Sequence, residues 1–154
     1  MTNKSTYNSS NDKIEISFTV SEHAKVLYRL LLACDSGSKA RQAISDKLCR
    51  ELYRCADLKN MAEVRVCNVQ QDSKTVNGVC VKKVLGKYIP SQRMIVLFNK
   101  TAVRRQTVSI KVFADALLHE ITHSLDYLYY HLDDSPHTSG FYKRIFDLKE
   151  KLNS

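Results

Sequence analysis

Apolar and polar residues alternate along Ile14-Glu15-Ile16-Ser17-Phe18-Thr19-Val20, a period of two that predicts a half-buried strand. The period then lengthens. After Ser21, a helix-capping residue, Val26, Leu27, Leu30 and Leu31 form a helical apolar face as far as about Cys34, where Asp35-Ser36-Gly37-Ser38 ends the run. A second helix is predicted from about Lys39 to Leu58, with Ile44, Leu48, Leu52 and Cys55 on its apolar side and Arg41, Lys47, Arg50 and Arg54 elsewhere on a solvated face. The middle third reads as sheet. Glu63 to Val69 alternates, Asn77-Gly78 is a turn dipeptide, Val79 to Val84 is rich in β-branched residues, and Pro90 to Arg93 turns the chain into Met94-Ile95-Val96-Leu97-Phe98-Asn99, the best buried strand. A long helix starts near Ser109, and Phe141, Ile145, Leu148 and Leu152 mark the apolar stripe of a last one. The order predicts an α+β fold with a small sheet of three to four strands packed on the long helix, N-terminal helices before it and a C-terminal helix after it. Short turns between the strands make antiparallel pairing the expectation.

The candidate chemistry lies in the long helix, which contains His119-Glu120-Ile121-Thr122-His123. Residues four apart share a helix face, so the two imidazoles can aim at one point about 2 Å from each, which is half of a tetrahedral zinc site. Glu120 projects beside that point, where a carboxylate can take a proton from a zinc-bound water. Four of the five histidines fall after residue 118, and this clustering in an apolar helical context favours ligands over packed core residues.

Such a site needs a third protein ligand. His131, if the helix continues, lies about 12 Å up the axis from His123 at 1.5 Å per residue and cannot reach the same ion. Asp133-Asp134-Ser135-Pro136 can reverse the chain and bring His137 back over the motif, in the first turn of the final helix. His137 is the expected ligand, with Asp133 or Asp134 the alternative.

HEITH, a short linker, and then His137-Thr138-Ser139-Gly140-Phe141 together resemble the SprT-like group of zincin metallopeptidases, in which HExxH is followed by an HGxxF-type segment opening the next helix. Thr138 stands in place of the usual glycine. The likeness covers roughly residues 95 to 152. It implies a zincin-like fold, one zinc ion held by His119, His123 and His137, and Glu120 as general base. The metzincin spacing HExxHxxGxxH is absent, since Asp126 and Tyr129 occupy those positions. The zinc ribbon that many SprT-like proteins carry is also missing, so a DNA-directed role does not come with the resemblance.

Composition adjusts this picture. The chain of 154 residues is 44% hydrophobic, enough for one domain over 13–154 with a real core. Residues 1–12 are polar and read as a disordered arm, neither signal peptide nor anchor. No apolar run reaches the length of a transmembrane helix. Cys34, Cys49, Cys55, Cys67 and Cys80 form no C-x-x-C pair and read as thiols in a reducing compartment, so a cytoplasmic location is expected. Between Met61 and Lys111 ten Lys or Arg face two acidic residues, and that region accounts for the formal net charge of +8. It would attract nucleic acid non-specifically.

The expected activity is peptide-bond hydrolysis by a small zinc metalloendopeptidase acting on a protein or peptide substrate. A second electrophile would come from Tyr127, Tyr129, Tyr130 or Tyr142, with Tyr142 favoured because it follows His137. Asp126 and Asp115 are candidates for orienting a ligand imidazole. The alternative is a DNA-associated protein with a structural zinc, or a zinc hydrolase acting on something other than a peptide. Glu120 separates the two, because a structural site has no use for an acid beside an open metal position.

Overall fold

Ser21 does what its position after the alternating segment predicts: its hydroxyl accepts the Ala24 N–H at 3.1 Å and starts a helix. The structure, a computed structural model, describes residues 3–34, 37–70, 72–76, 79–101 and 104–154, with the backbone alone between 70 and 84. The elements run α1 Lys4–Asp12, α2 Glu22–Ala33, α3 Ser38–Cys55, β1 Glu63–Gln70, β2 Asp72–Val76, β3 Val79–Val84, β4 Gly86–Ile89, a 3-10 turn Pro90–Gln92, β5 Met94–Lys100, α4 Ile110–Leu128 and α5 Ser139–Asn153. The fold class is α+β. The Asn77-Gly78 turn lies outside the described residues.

The strand pairing corrects the expectation of an antiparallel sheet. The main sheet has the order β1-β5-β4, with β1 parallel to β5 from Glu63↔Met94 to Cys67↔Phe98 and β4 antiparallel to β5 from Gly86↔Leu97 to Ile89↔Met94. A separate antiparallel pair is formed by β2 and β3. The turns between neighbouring strands are short, but β5 inserts between β1 and β4. The segment 71–93 is long enough to act as the crossover that parallel pairing requires. Central β5 buries Ile95 and Leu97 completely, as its continuous apolar run predicts.

The core lies between this sheet and helices α2 to α5. It is built from Leu27 and Leu31, Leu48 and Leu52, Leu117, Leu118, Ile121 and Leu125, and Leu148 and Leu152. Two expected faces shift. On α2 the buried stripe is Ala24, Leu27, Tyr28 and Leu31, which leaves Val26 and Leu30 exposed. On α3 Arg41 is buried instead of solvated. Its guanidinium donates to Asn99 Oδ1 at 2.9 Å and to the Val108 carbonyl at 2.6 Å, and it lies over the Phe113 ring. A buried cation so supplied with acceptors fixes the start of α4 against β5.

The N-terminal part departs furthest from expectation. Residues 14–20 keep their alternation as burial, with Ile16, Phe18 and Val20 inside, yet among the described residues they form no strand. Residues 4–12, expected to be a disordered arm, form helix α1, capped by Asn3 and docked through buried Ser10. Among the described residues no helix is long and apolar enough to cross a membrane.

Candidate metal centre

Helix α4 begins at its cap Ser109 and buries Phe113, Ala114, Leu117, Leu118, Ile121 and Leu125. That packing leaves the opposite stripe, His119 and His123, facing a cleft. The Nε2 atoms of His119 and His123 lie 3.2 Å apart. The Nε2 atoms of His123 and His137 lie 2.9 Å apart. One ligating atom from each of the three histidines falls within 4.8 Å of the others, and among the described residues this is the group of His, Cys, Asp or Glu set closely enough to hold a metal ion. Neither Asp133, Asp134 nor His131 belongs to it.

His137 arrives by way of a tight loop. The Leu132 N–H donates back to the Asp126 carbonyl and the Ser135 N–H to the Leu132 carbonyl. His131, Asp134 and Ser135 take left-handed backbone conformations (φ 54°, 63° and 39°), which cost side-chain-bearing residues about 1 kcal/mol or more each. His137 lies one residue before Thr138, the N-cap of α5, so it precedes the helix instead of opening it as expected. Phe141, fully buried one turn into α5, forms a floor under all three imidazoles, with ring centroids 5.1, 4.5 and 5.2 Å from those of His119, His123 and His137.

The hydrogen bonds behind His123 decide its tautomer. Ser135 Oγ donates to Asp126 Oδ2 at 2.7 Å; burial raises the Asp126 pKa, and the Arg144 guanidinium against both its oxygens opposes that and keeps it an acceptor. The Ser135 oxygen lies 2.7 Å from His123 Nδ1 and must accept its N–H. His123 therefore carries its proton on Nδ1 and turns the Nε2 lone pair toward the other two imidazoles. Burial, then the neighbouring His119 and His137, push the His123 pKa down to about 3. Burial, then His137, also lowers that of His119. Neutral imidazoles are the form that binds a cation. Ligands about 2.0–2.1 Å from a tetrahedral zinc stand roughly 3.3 Å from each other, close to the two separations that involve His123; the three donors together lie within 4.8 Å, and three imidazole nitrogens are a donor set whose chemistry suits such an ion.

Glu120 sits beside this group, 6% exposed, and burial pushes its carboxyl up to about 7. It shares with the three histidines a cleft of about 590 Å³ whose far wall is Leu85, Gly86, Lys87 and Tyr88. Gly86 makes the close approach possible. A Cβ there would stand 2.7 Å from Leu97 Cδ2, 2.9 Å from the Val96 carbonyl oxygen and 3.3 Å from Glu120 Cγ. Tyr127 lines the cleft with its ring 5.7 Å from that of Tyr88.

The remaining candidates divide. Tyr142 is half exposed and does not line the cleft itself, its ring 5.9 Å from that of His137 and 6.3 Å from that of His119. Asp126 is fully buried and acts on His123 through Ser135, a residue the sequence did not single out. Asp115 pairs with Lys149 at 2.8 Å. Ser135 and Gly86 carry no periodic signal of their own, so neither was legible before the fold. No protein-family profile, curated protein or solved structure matches the chain.

Proposed function

We propose that this chain is a zinc-dependent metalloendopeptidase with a zincin-like arrangement of its site, as the resemblance to the SprT-like group implies. One observation carries the reading: three imidazoles bring their ligating nitrogens within 4.8 Å of one another, one of them with its lone pair set by a buried acceptor, and a buried carboxyl sits beside them in an open cleft. A structural site explains the imidazoles but gives Glu120 no reason to be buried there at the expense of its charge.

His119, His123 and His137 would hold the ion. When bound, zinc supplies a Lewis acid for a substrate carbonyl and lowers the pKa of water toward neutrality. The chain's own groups do the rest. Glu120 accepts the proton of the attacking water and passes it to the leaving amine. Tyr142, half exposed with its ring 5.9 Å from that of His137, would donate to the oxyanion that develops on the carbonyl oxygen. Among the described residues strand β4 is one of the two outer strands of its sheet, and it lines the cleft. An extended peptide would add to it as a further strand, with its side chains against the Tyr88 and Tyr127 rings.

The test is metal content and affinity, measured by elemental analysis and chelator competition under reducing conditions, for wild type beside His137→Ala and Glu120→Gln. One zinc per chain, weakened by His137→Ala and kept by Glu120→Gln, together with cleavage of an unfolded protein substrate that Glu120→Gln abolishes, is the expected result. Absence of stoichiometric metal, or indifference to His137→Ala, would sink the assignment.

A further inference from the structure

Arg144, on the inner face of α5, is fully buried and its guanidinium joins two parts of the chain that the sequence keeps far apart. Nη1 donates to the main-chain carbonyls of Ser10 and Lys13, each at 2.6 Å. Nη2 donates to Ser10 Oγ at 3.2 Å and to Asp126 Oδ1 and Oδ2 at 3.1 and 3.2 Å. Asp126 Oδ2 is the oxygen that takes the Ser135 hydroxyl proton, and Ser135 Oγ takes the His123 Nδ1 proton. The chain of contacts from the end of α1 to an imidazole of the metal centre is therefore continuous and buried.

A second set of contacts runs from α1 to His137. Ser10 Oγ lies 2.9 Å from Thr138 Oγ1, and Thr138 caps α5 directly after His137 by accepting the Phe141 N–H at 3.0 Å. Asn11 Oδ1 accepts the Gly140 N–H at 3.3 Å. Gly140 lets the two helices touch, since a Cβ there would run into the main chain of Ser10 and Asn11. The hold on α1 is polar. Ser10 is its one buried residue, and Tyr7 is half exposed. An element with so little apolar burial belongs to the low-stability end of a fold and opens before the core does.

We infer that Ser135, Asp126 and Arg144 are positioning residues for His123, and that α1 is the clamp that closes this network, so that the N-terminal helix sets the tautomer of His123 and the affinity of the centre for its metal. With α1 in place, both Nη1 donors of Arg144 are satisfied, and the guanidinium is held where Asp126 needs it. With α1 lifted, a buried cation loses two acceptors, Asp126 loses a fixed partner, and Ser135 is no longer compelled to accept from Nδ1. The affinity half of this inference rests on the metal-centre reading; the tautomer half does not.

The experiment compares wild type with Ser135→Ala, Arg144→Lys and Gly140→Ala in the 154-residue chain. Gly140→Ala is the incisive variant, because alanine suits a helix better than glycine, so the strain falls on the contact between α5 and α1, and exchange protection of the α1 amides shows whether α1 is the part displaced. Imidazole 15N NMR of the metal-free protein reads the tautomer, and competition of Zn2+ against a chromophoric chelator reads affinity. Wild type is expected to hold His123 in the Nδ1–H form. All three variants should mix the two tautomers and bind Zn2+ about 10- to 100-fold more weakly, the usual effect of losing a group that orients a ligand. Ser10→Ala, which removes only a hydroxyl, is carried beside Gly140→Ala and is expected to shift both readouts in the same direction if that variant does not fold. An Nε2–H wild type would overturn the network. Unchanged tautomer and affinity in a folded Gly140→Ala whose α1 amides have lost exchange protection would overturn the clamp. A locked Nδ1–H tautomer that the variants release, in a wild type that binds no Zn2+, would uphold the network and defeat the metal-centre reading instead.

Discussion

Replacing Glu120 with Gln should stabilise the metal-free protein, and by an amount that depends on pH. The Glu120 side chain is 6% exposed on a helix packed into the core, and burial raises its pKa from 4.5 to about 7. The folded state thus holds a proton that the unfolded chain releases between those two values. The contribution of the neutral acid is fully present below about pH 4.5, declines as pH rises, and is gone above about 7, where folding must bury a carboxylate. A difference of that size corresponds to about 3 kcal/mol. Glutamine is nearly isosteric with the protonated acid and cannot ionise. Urea unfolding with a chelator present should show the two proteins within about 0.5 kcal/mol of each other at pH 4.5. At pH 8 Glu120→Gln should be more stable by about 3 kcal/mol, a rise of about 2 M in midpoint for an ordinary urea dependence. Groups remote from the cleft titrate alike in both proteins and cancel in the comparison, which reads Glu120 together with its coupling to the neighbouring imidazoles. Saturating Zn2+ should shrink the gap at pH 8, since a cation in the same cleft favours the carboxylate. A gap below about 1 kcal/mol at pH 8 without metal, with both proteins folded, would refute the claim that burial controls this carboxyl.

Gly86→Ala should cost about 1–3 kcal/mol, the usual range for overpacking. The Val96 carbonyl that the new methyl would meet is main chain and yields only if β4 moves; equilibrium unfolding reads the loss, and no loss would show that β4 does not press on Glu120. Tyr142→Phe should leave stability within about 0.5 kcal/mol, because Tyr142 is half exposed, and should leave Zn2+ affinity unchanged while lowering kcat about 100-fold. A fall in Zn2+ affinity instead would make Tyr142 a support for the histidines and not an oxyanion donor.

Much of this protein was legible along the chain. The helices near Ser21, Ser109 and Phe141, central β5, and two imidazoles one turn apart on α4 all follow from local periodicity and caps, which act over a few residues and leave their mark there. His137 was within reach of sequence reasoning because a turn-forming run separates it from the motif. The tertiary structure alone decided the rest. Pairing of β1 with β5 is parallel because β5 inserts between β1 and β4, strands that the β2–β3 pair separates in sequence, and no local pattern records which strand a third one joins. Helix α1 forms and docks because Arg144 and Thr138, more than a hundred residues away, offer partners to Ser10. Asp126 was a candidate for orienting an imidazole, but Arg144 and Ser135, through which it is held and acts, look like surface residues in the sequence and are buried in the fold, since a polar side chain goes inside when its partners arrive with it. A sequence states each residue's appetite for water; only the assembled chain states what it has been given instead.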